Sequence, residues 1–274
     1  VQLVARKHHS QPRGGGCIRR YHDWGAKHVS THSRGEVAAA VVNKDWASGV
    51  EINRTDIEDD NIGVYAPLVT ELGRSAGEQP DELVFGALKA GFKTACYDGQ
   101  YFFDDDHPVG KNPDGTDPVQ VSNITDDSTG VTEDGAWYLL DCSRALKPII
   151  FQNRKSPTPA QMTDANAQKV YEDNVYSYGV DSRCNVGYGF WQMAHAVKGK
   201  LTAENLWKAI KAMRKVEGDG GHKLGIKPTH IVVPVELQEE ATKLLERAFR
   251  VEDGATVDNE LRNLKLELIV ADYL

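Results

Sequence analysis

One helical run dominates the pattern of this chain. Between residues 62 and 90, Tyr65, Leu68, Val69 and Leu72, then Leu83, Val84 and Leu88, recur at helical spacing. Asp56, Glu58, Asp59 and Asp60 precede it, where acids suit the positive end of a helix dipole. Pro80, followed by Asp81 and Glu82, interrupts the run where a second helical segment would begin, and Gly91 marks the stop. The spacing predicts one kinked helix of about 40 Å at ~1.5 Å per residue.

The rest alternates mainly as strands. Val50 and Ile52 alternate with Glu51 and Asn53, with Ser48-Gly49 as a turn or bulge. Trp137–Leu140 and Ile149–Gln152 flank a polar turn containing Ser143 and Pro148. Val175–Arg183 and Val186–His195 carry the strongest period-two pattern. Thr202 caps a helix bearing Leu206, Ile210 and Met213, closed by Gly218. Ile231-Val232-Val233 reads as a buried strand. Pro234 opens a helix with Leu237, Ala241, Leu244, Leu245 and Ala248, and Leu264, Leu266 and Leu268 mark a final strand. Regular strand–helix alternation is missing, so the fold class is α+β.

Charge is distributed unevenly. The chain of 274 residues has a net charge of -8, yet residues 1–34 carry seven bases (among them Arg6, Lys7, Arg13, Arg19 and Arg20) against one acid, Asp23. The remainder holds 25 bases and 39 acids, a net of -14. With Gly14-Gly15-Gly16 and little apolar periodicity, the first 34 residues read as an extended basic arm and not a packed element, touching a polyanion or an acidic neighbour. From Asp98 to Asp134 there are ten acids and one base, Lys111, around Asn112-Pro113-Asp114-Gly115, the pattern of a solvated hairpin tip. No apolar run approaches the ~20 residues of a membrane span. A signal pattern is missing at the start, and Cys17, Cys96, Cys142 and Cys184 form no CxxC pair, so a reducing compartment is expected.

Catalytic templates fail one by one. Asp104-Asp105-Asp106-His107 offers metal-ligating groups, but consecutive aspartates on a strand would point to alternate faces. Cys96 with His107 would make a nucleophile and base, although a lone cysteine between Ala95 and Tyr97 is more often a small core residue. Gly187-Tyr188-Gly189 lacks a third glycine, and neither a phosphate-binding loop nor a nucleophile elbow occurs. No catalytic, cofactor or metal residue is expected.

Five stretches are more distinctive: Glu51 to Tyr65 (EINRTDIEDDNIGVY), Tyr97 to Asp104 with His107-Pro108, Trp137 to Asp141 with Leu146-Lys147-Pro148, Tyr178 to Arg183, and Gly187 to Gln192. In this order they resemble the major head (capsid) subunit of Mu-like phages and prophages, over roughly residues 41 to 274; residues 1–34 lie outside the resemblance. It implies the tailed-phage capsid fold of the Hong-Kong-ninety-seven type, with an N-terminal arm, an extended hairpin called the E-loop, a long spine helix, and peripheral and axial domains. The implied division is 1–34 arm, 35–60 E-loop, 61–136 spine helix and acidic hairpin of the peripheral domain, 137–200 a β-rich segment shared by both domains, and 201–274 axial material. The implied function is an icosahedral shell of hexamers and pentamers enclosing weakly contacted double-stranded DNA. The subunit would be assembled in the bacterial cytoplasm with scaffold or protease, portal and decoration partners and no membrane. The alternative is an encapsulin-like compartment of the same fold. Trp46, Val50 and Ile52 are expected to bury surface between subunits, a core strand of the subunit itself being the competing reading. Glu51, Arg54, Asp56 and Asp59 are expected to pair across subunits, setting register more than stability.

Overall fold

The structure, a computed structural model, describes residues 4–7, 41–59, 63, 65–112, 115–127, 135–252 and 255–274. In chain order it begins with β1 (Val4–Lys7), β2 (Lys44–Asn53), α1 (Arg54–Glu58), α2 (Tyr65–Ala90) and the hairpin of β3 (His107–Gly110) with β4 (Pro118–Val121). Next come β5 (Ile124–Asp126), β6 (Trp137–Leu140), β7 (Ile149–Met162), α3 (Gln168–Asp173), β8 (Val175–Tyr188) and β9 (Ala194–Lys198). The last part holds α4 (Ala203–Lys215), the short pair β10 (Glu217–Gly218) and β11 (His222–Lys223), and β12 (His230–Pro234). It ends with α5 (Gln238–Leu245), the hairpin of β13 (Phe249–Glu252) with β14 (Ala255–Asp258), and β15 (Glu267–Ala271).

Two sheets organise these elements. The first has the order β1-β7-β8-β2. β2 runs antiparallel to β8 along its whole length, from Lys44 opposite Cys184 to Asn53 opposite Val175. Ser48-Gly49 therefore makes no turn; Gly49 sits opposite Gly179, where an added Cβ would meet the Tyr178 carbonyl at 3.1 Å. Residues 41–59 form one strand and a short helix, so among the described residues the stretch expected to be a hairpin of its own is the edge of a shared sheet. The physical reason is that β8 offers it a long unpaired ladder. β1 adds parallel to the base of β7, from Val4 opposite Ile149 to Lys7 opposite Gln152. The expected unpacked arm thus has at least four residues held by backbone pairing.

β7 is longer than its sequence suggests. Pro157 and Pro159 argue against a strand, since proline gives a ladder no N–H. The strand accommodates this section with register shifts between Asn153 and Lys155 and between Lys155 and Thr158, then continues to Met162. β8 is a single strand through Tyr188, and the expected second strand is broken at Gly189. A Cβ there would lie 2.2 Å from the Lys147 carbonyl, so only glycine lets the two backbones pass.

α2 runs unbroken through Pro80 for 26 residues, about 39 Å at ~1.5 Å per residue. Its second half packs Val84, Phe85 and Leu88 into the core, and the Tyr188 hydroxyl donates to the Ala87 carbonyl at 2.8 Å. Its first half is largely exposed, Leu68 and Val69 included. No described helix is long and apolar enough to cross a membrane.

The second sheet is mixed, in the order β15-β12-β6-β9-β5. β6 is antiparallel to both β12 and β9, while β12–β15 and β9–β5 are parallel. All four β6 residues are buried, so both faces of the sheet are covered. Phe92 and Phe103 pack on Tyr138 from one side, with ring centroids 6.2 and 5.3 Å away. The crossovers β9-α4-β12 and β12-α5-β15 both join parallel strands and advance the same way across the sheet, and the right-handed rule for such connections puts α4 and α5 on one face. β6 and β7, expected to flank one turn, belong to different sheets. Asp141 anchors the link: it is 1% exposed and accepts from Ser143 N at 3.0 Å, Ser143 Oγ at 2.6 Å and Lys227 N at 3.1 Å.

The Thr202 cap holds, with its hydroxyl accepting from Asn205 N at 3.2 Å. The helix ends at Lys215 instead of Gly218, which turns into β10. The last strand lies at Glu267–Ala271, shifted past Leu264, and a 3-10 turn at Val235–Leu237 precedes α5.

Candidate functional site

The most unusual surface is the outer part of the first sheet. Beyond Asn153, β7 is exposed at every residue, and the facing part of β8 is half-buried. This ribbon of β7, β8 and β2 is wedged at its base by α2. Further out it lies mostly open to solvent. Its cohesion comes from the ladder and from side-chain charges: Lys155 pairs with Asp181 and Arg183 Nε with Asp45 Oδ1 at 2.5 Å across strands, and Lys169 of α3 pairs with Glu51 of β2. Such exposed pairs tune register and add little stability.

The expected contact residues divide here. Ile52 is 6% exposed and Trp46 is half-buried, its indole N–H donating to the Cys184 carbonyl at 3.0 Å. Both side chains engage their own chain, and Ile52 leaves little surface exposed in the single subunit. Val50 is half-buried. Glu51 pairs within the chain, Arg54 Nε meets Glu58 Oε1 at 2.7 Å, and Asp56 Oδ2 accepts from Asn53 Nδ2 at 3.1 Å. Asp59 is exposed. Sequence reasoning missed Tyr171 of α3, 83% exposed, and Met162 at the end of β7. Arg6 and Lys7 lie in β1 by backbone; Arg13, Arg19 and Arg20 lie outside the described residues.

The catalytic lookalike is a structural knot. Residues 104–106 lie in the turn before β3, so their carboxylates do converge, contrary to the alternate-face expectation for a strand. Asp104 uses its oxygens locally, accepting from Tyr101 N at 3.2 Å and Asp105 N at 2.8 Å. Cys96, Asp98 and His107 also come together. Asp98 Oδ1 accepts from the Cys96 thiol at 2.9 Å and Gln100 N at 3.1 Å, and Oδ2 pairs with His107 Nδ1 at 2.8 Å. His107 is fully buried and stacked on Trp191, ring centroids 4.0 Å apart. Burial raises the Asp98 carboxyl, but the hydrogen bonds from His107 and Cys96 outweigh it and hold the group below its usual range. Burial, then the neighbouring Asp98, pushes the Cys96 thiol up to about 12. The thiol bonds the carboxylate and not the imidazole, so Cys96 and His107 are not paired as nucleophile and base.

These features describe a chain with a projecting ribbon and no activated group in its best cluster. A family model described as the Mu-like prophage major head subunit gpT matches residues 20–274. The chain belongs to this Mu-like major head subunit family. The match starts earlier than the resemblance at residue 41 and takes in part of the basic arm. The chain is 74% identical over 235 residues to the Mu-like prophage FluMu major head subunit of Haemophilus influenzae, covering 86% of this chain and 76% of that one. It is 52% identical over 238 residues to the major capsid protein of Escherichia phage Mu, with the same coverage. Among solved structures, the procapsid of bacteriophage JBD30 matches with a TM-score of 0.78 at 40% identity, over 100% of this chain and 90% of that one. The JBD30 capsid matches with a TM-score of 0.79 at 28% identity, over 99% and 89%. The Mu-like head subunit described here is thus a phage major capsid protein, with the α+β tailed-phage capsid fold and a place in the virion. The matched proteins are phage heads, and an encapsulin-like compartment finds no support among them.

Proposed function

We propose that copies of this subunit close into an icosahedral shell of hexamers and pentamers that encloses double-stranded DNA, with no reaction performed. The observation that carries it is the likeness to the JBD30 procapsid over the whole chain, joined to a ribbon that buries little inside its own subunit. An extended ribbon gains contact area cheaply in chain length, and weak contacts to several neighbours add through effective concentration. Glu51, Asp56, Asp59, Met162 and Tyr171 are exposed in this region, Val50 and Arg54 are half-buried, and Trp46 and Ile52 support it from within. The first sheet with α2 suits a peripheral domain, and the second sheet with α4 and α5 an axial domain. Residues 1–34 remain the arm and 35–60 the stretch assigned to the E-loop.

The acidic body would keep DNA weakly held for packaging, with the arm's cations neutralising phosphate locally. A scaffold or protease and a portal would serve assembly in the host cytoplasm. The JBD30 capsid is decorated with minor capsid protein trimers, and a similar decoration fits here. Electron microscopy of the purified full chain is the deciding experiment: closed particles support the shell, whereas tubes, rings or a persistent monomer reject it. Gel shift of duplex DNA at physiological salt tests the weak-contact reading. Tight binding that survives neutralising Arg13, Arg19 and Arg20 would reject the arm's part in it.

A further inference from the structure

The axial half of the subunit is electrically split. Residues 198–227 hold eight bases and three acids in a chain whose net charge is -8. Residues 235–260 hold eight acids and three bases. α4 buries Leu206, Ala209, Ile210 and Met213, so 3.6-residue periodicity turns Lys208, Lys211 and Lys215 outward. Lys208 is held by Glu204 at 3.0 Å. Lys211 and Lys215 are exposed and have no acidic partner among the described residues, and the same is true of Arg214 and Lys227. On the ribbon, by contrast, Lys155, Lys169 and Arg183 each hold an acid of their own chain. α5 exposes Glu236, in the turn before it, and Glu240.

Position makes this split informative. α4 packs on β9 and α5 on the β12–β15 end of the second sheet, and the right-handed rule for crossovers between parallel strands puts both on one face. One face of one layer therefore carries cations at one end and carboxylates at the other. A two-fold contact whose axis passes between the two ends would set each copy's cation end on the other's carboxylate end. A rotational, head-to-tail contact brings two different surfaces together and suits such a split. Duplex DNA lying along the same face would meet the carboxylates of α5 and be repelled there.

We infer that the α4 face, through Lys211 and Lys215, is an interface that receives the acidic α5 end, Glu236 and Glu240, of a second copy of this chain. This rests on the shell reading and names one of its contacts. Complementary charge of this kind selects the partner's orientation and speeds encounter.

Three full-length variants test it against the wild type: Lys211→Glu with Lys215→Glu, Glu236→Lys with Glu240→Lys, and all four together. Particle yield is read by sedimentation and electron microscopy, folding by circular dichroism, and duplex DNA binding by gel shift. Each double variant should fold normally and lose about tenfold in yield, the scale of a broken charge contact. The fourfold variant should recover most of it, because the contact is re-formed with reversed signs. Double variants at wild-type yield overturn the proposal, and so does a fourfold variant no better than either double. Normal particles from the α4 variant together with lost DNA binding would overturn it in favour of a phosphate contact. A wild type that never forms particles fails earlier, at the shell reading, and takes this contact down with it.

Discussion

Several buried or half-buried polar side chains in this subunit are tied down, and the way each is tied decides what it can do. Cys96 is one case. With its thiol pushed up to about 12, against 9.0 for an ordinary one, the thiolate fraction at pH 8 falls roughly a thousandfold. Iodoacetamide at pH 8 should therefore leave Cys96 unlabelled in the folded chain, as peptide mass spectrometry would read; rapid labelling would show the Asp98 contact to be absent. His195 is a second case. Its Nε2 meets Thr125 Oγ1 at 2.8 Å, and desolvation lowers it from 6.5 to about 4. The unfolded chain takes up a proton below pH 6.5 while the folded chain does not. Stability from this group is therefore complete above 6.5 and drains away as the pH falls towards 4, by about 3 kcal/mol in all. Urea melts of His195→Gln should show a shallower acid loss than the wild type between those limits; equal slopes would remove His195 from the account. The carboxylates of residues 104–106 were visible in the sequence as a cluster. Their convergence was not, because it depends on a turn replacing the strand that the alternation rule assumed.

At the scale of elements, glycines separate local from tertiary demand. Gly77 lies in the exposed half of α2 with nothing within 4 Å of an added Cβ. Gly77→Ala should raise stability by about 0.5–1 kcal/mol, the ordinary helix-propensity gain. Gly189→Ala should cost several times that, on the order of 3 kcal/mol, because its Cβ would press on the Lys147 carbonyl at 2.2 Å. Denaturant midpoints compare the two directly, and a neutral Gly189→Ala would mean that the 147–148 segment yields freely. Helices were the more legible elements. The α4 stripe and its Thr202 cap, and the buried face of α2, follow from residues three and four apart. From the sequence β7 is expected to end at Gln152, and the structure carries it on to Met162 through Pro157 and Pro159 with register shifts against β8.

For the whole molecule, the prediction is a separation of folding from assembly. Tyr171→Glu in α3 and Met162→Glu at the end of β7 alter exposed residues, so the isolated subunit should melt within about 0.5 kcal/mol of the wild type. The same variants should lower particle yield in sedimentation. Unchanged yield with both would move the ribbon's partner surface elsewhere. Local periodicity in the chain was enough for the long helix, the capped α4, the buried β12 and the acid-rich hairpin, since each depends on neighbours within a few residues. Its ordered motifs were enough for the family. What only the tertiary structure decided is how the strands are shared out. It sends β6 and β7 to different sheets, lays β2 along β8, and spends Trp46 and Ile52 inside the subunit. Those outcomes are pairings between residues far apart in the chain, more than a hundred positions in the case of Trp46 with Cys184. A strand's own pattern names the face it buries but not the strand that will lie beside it.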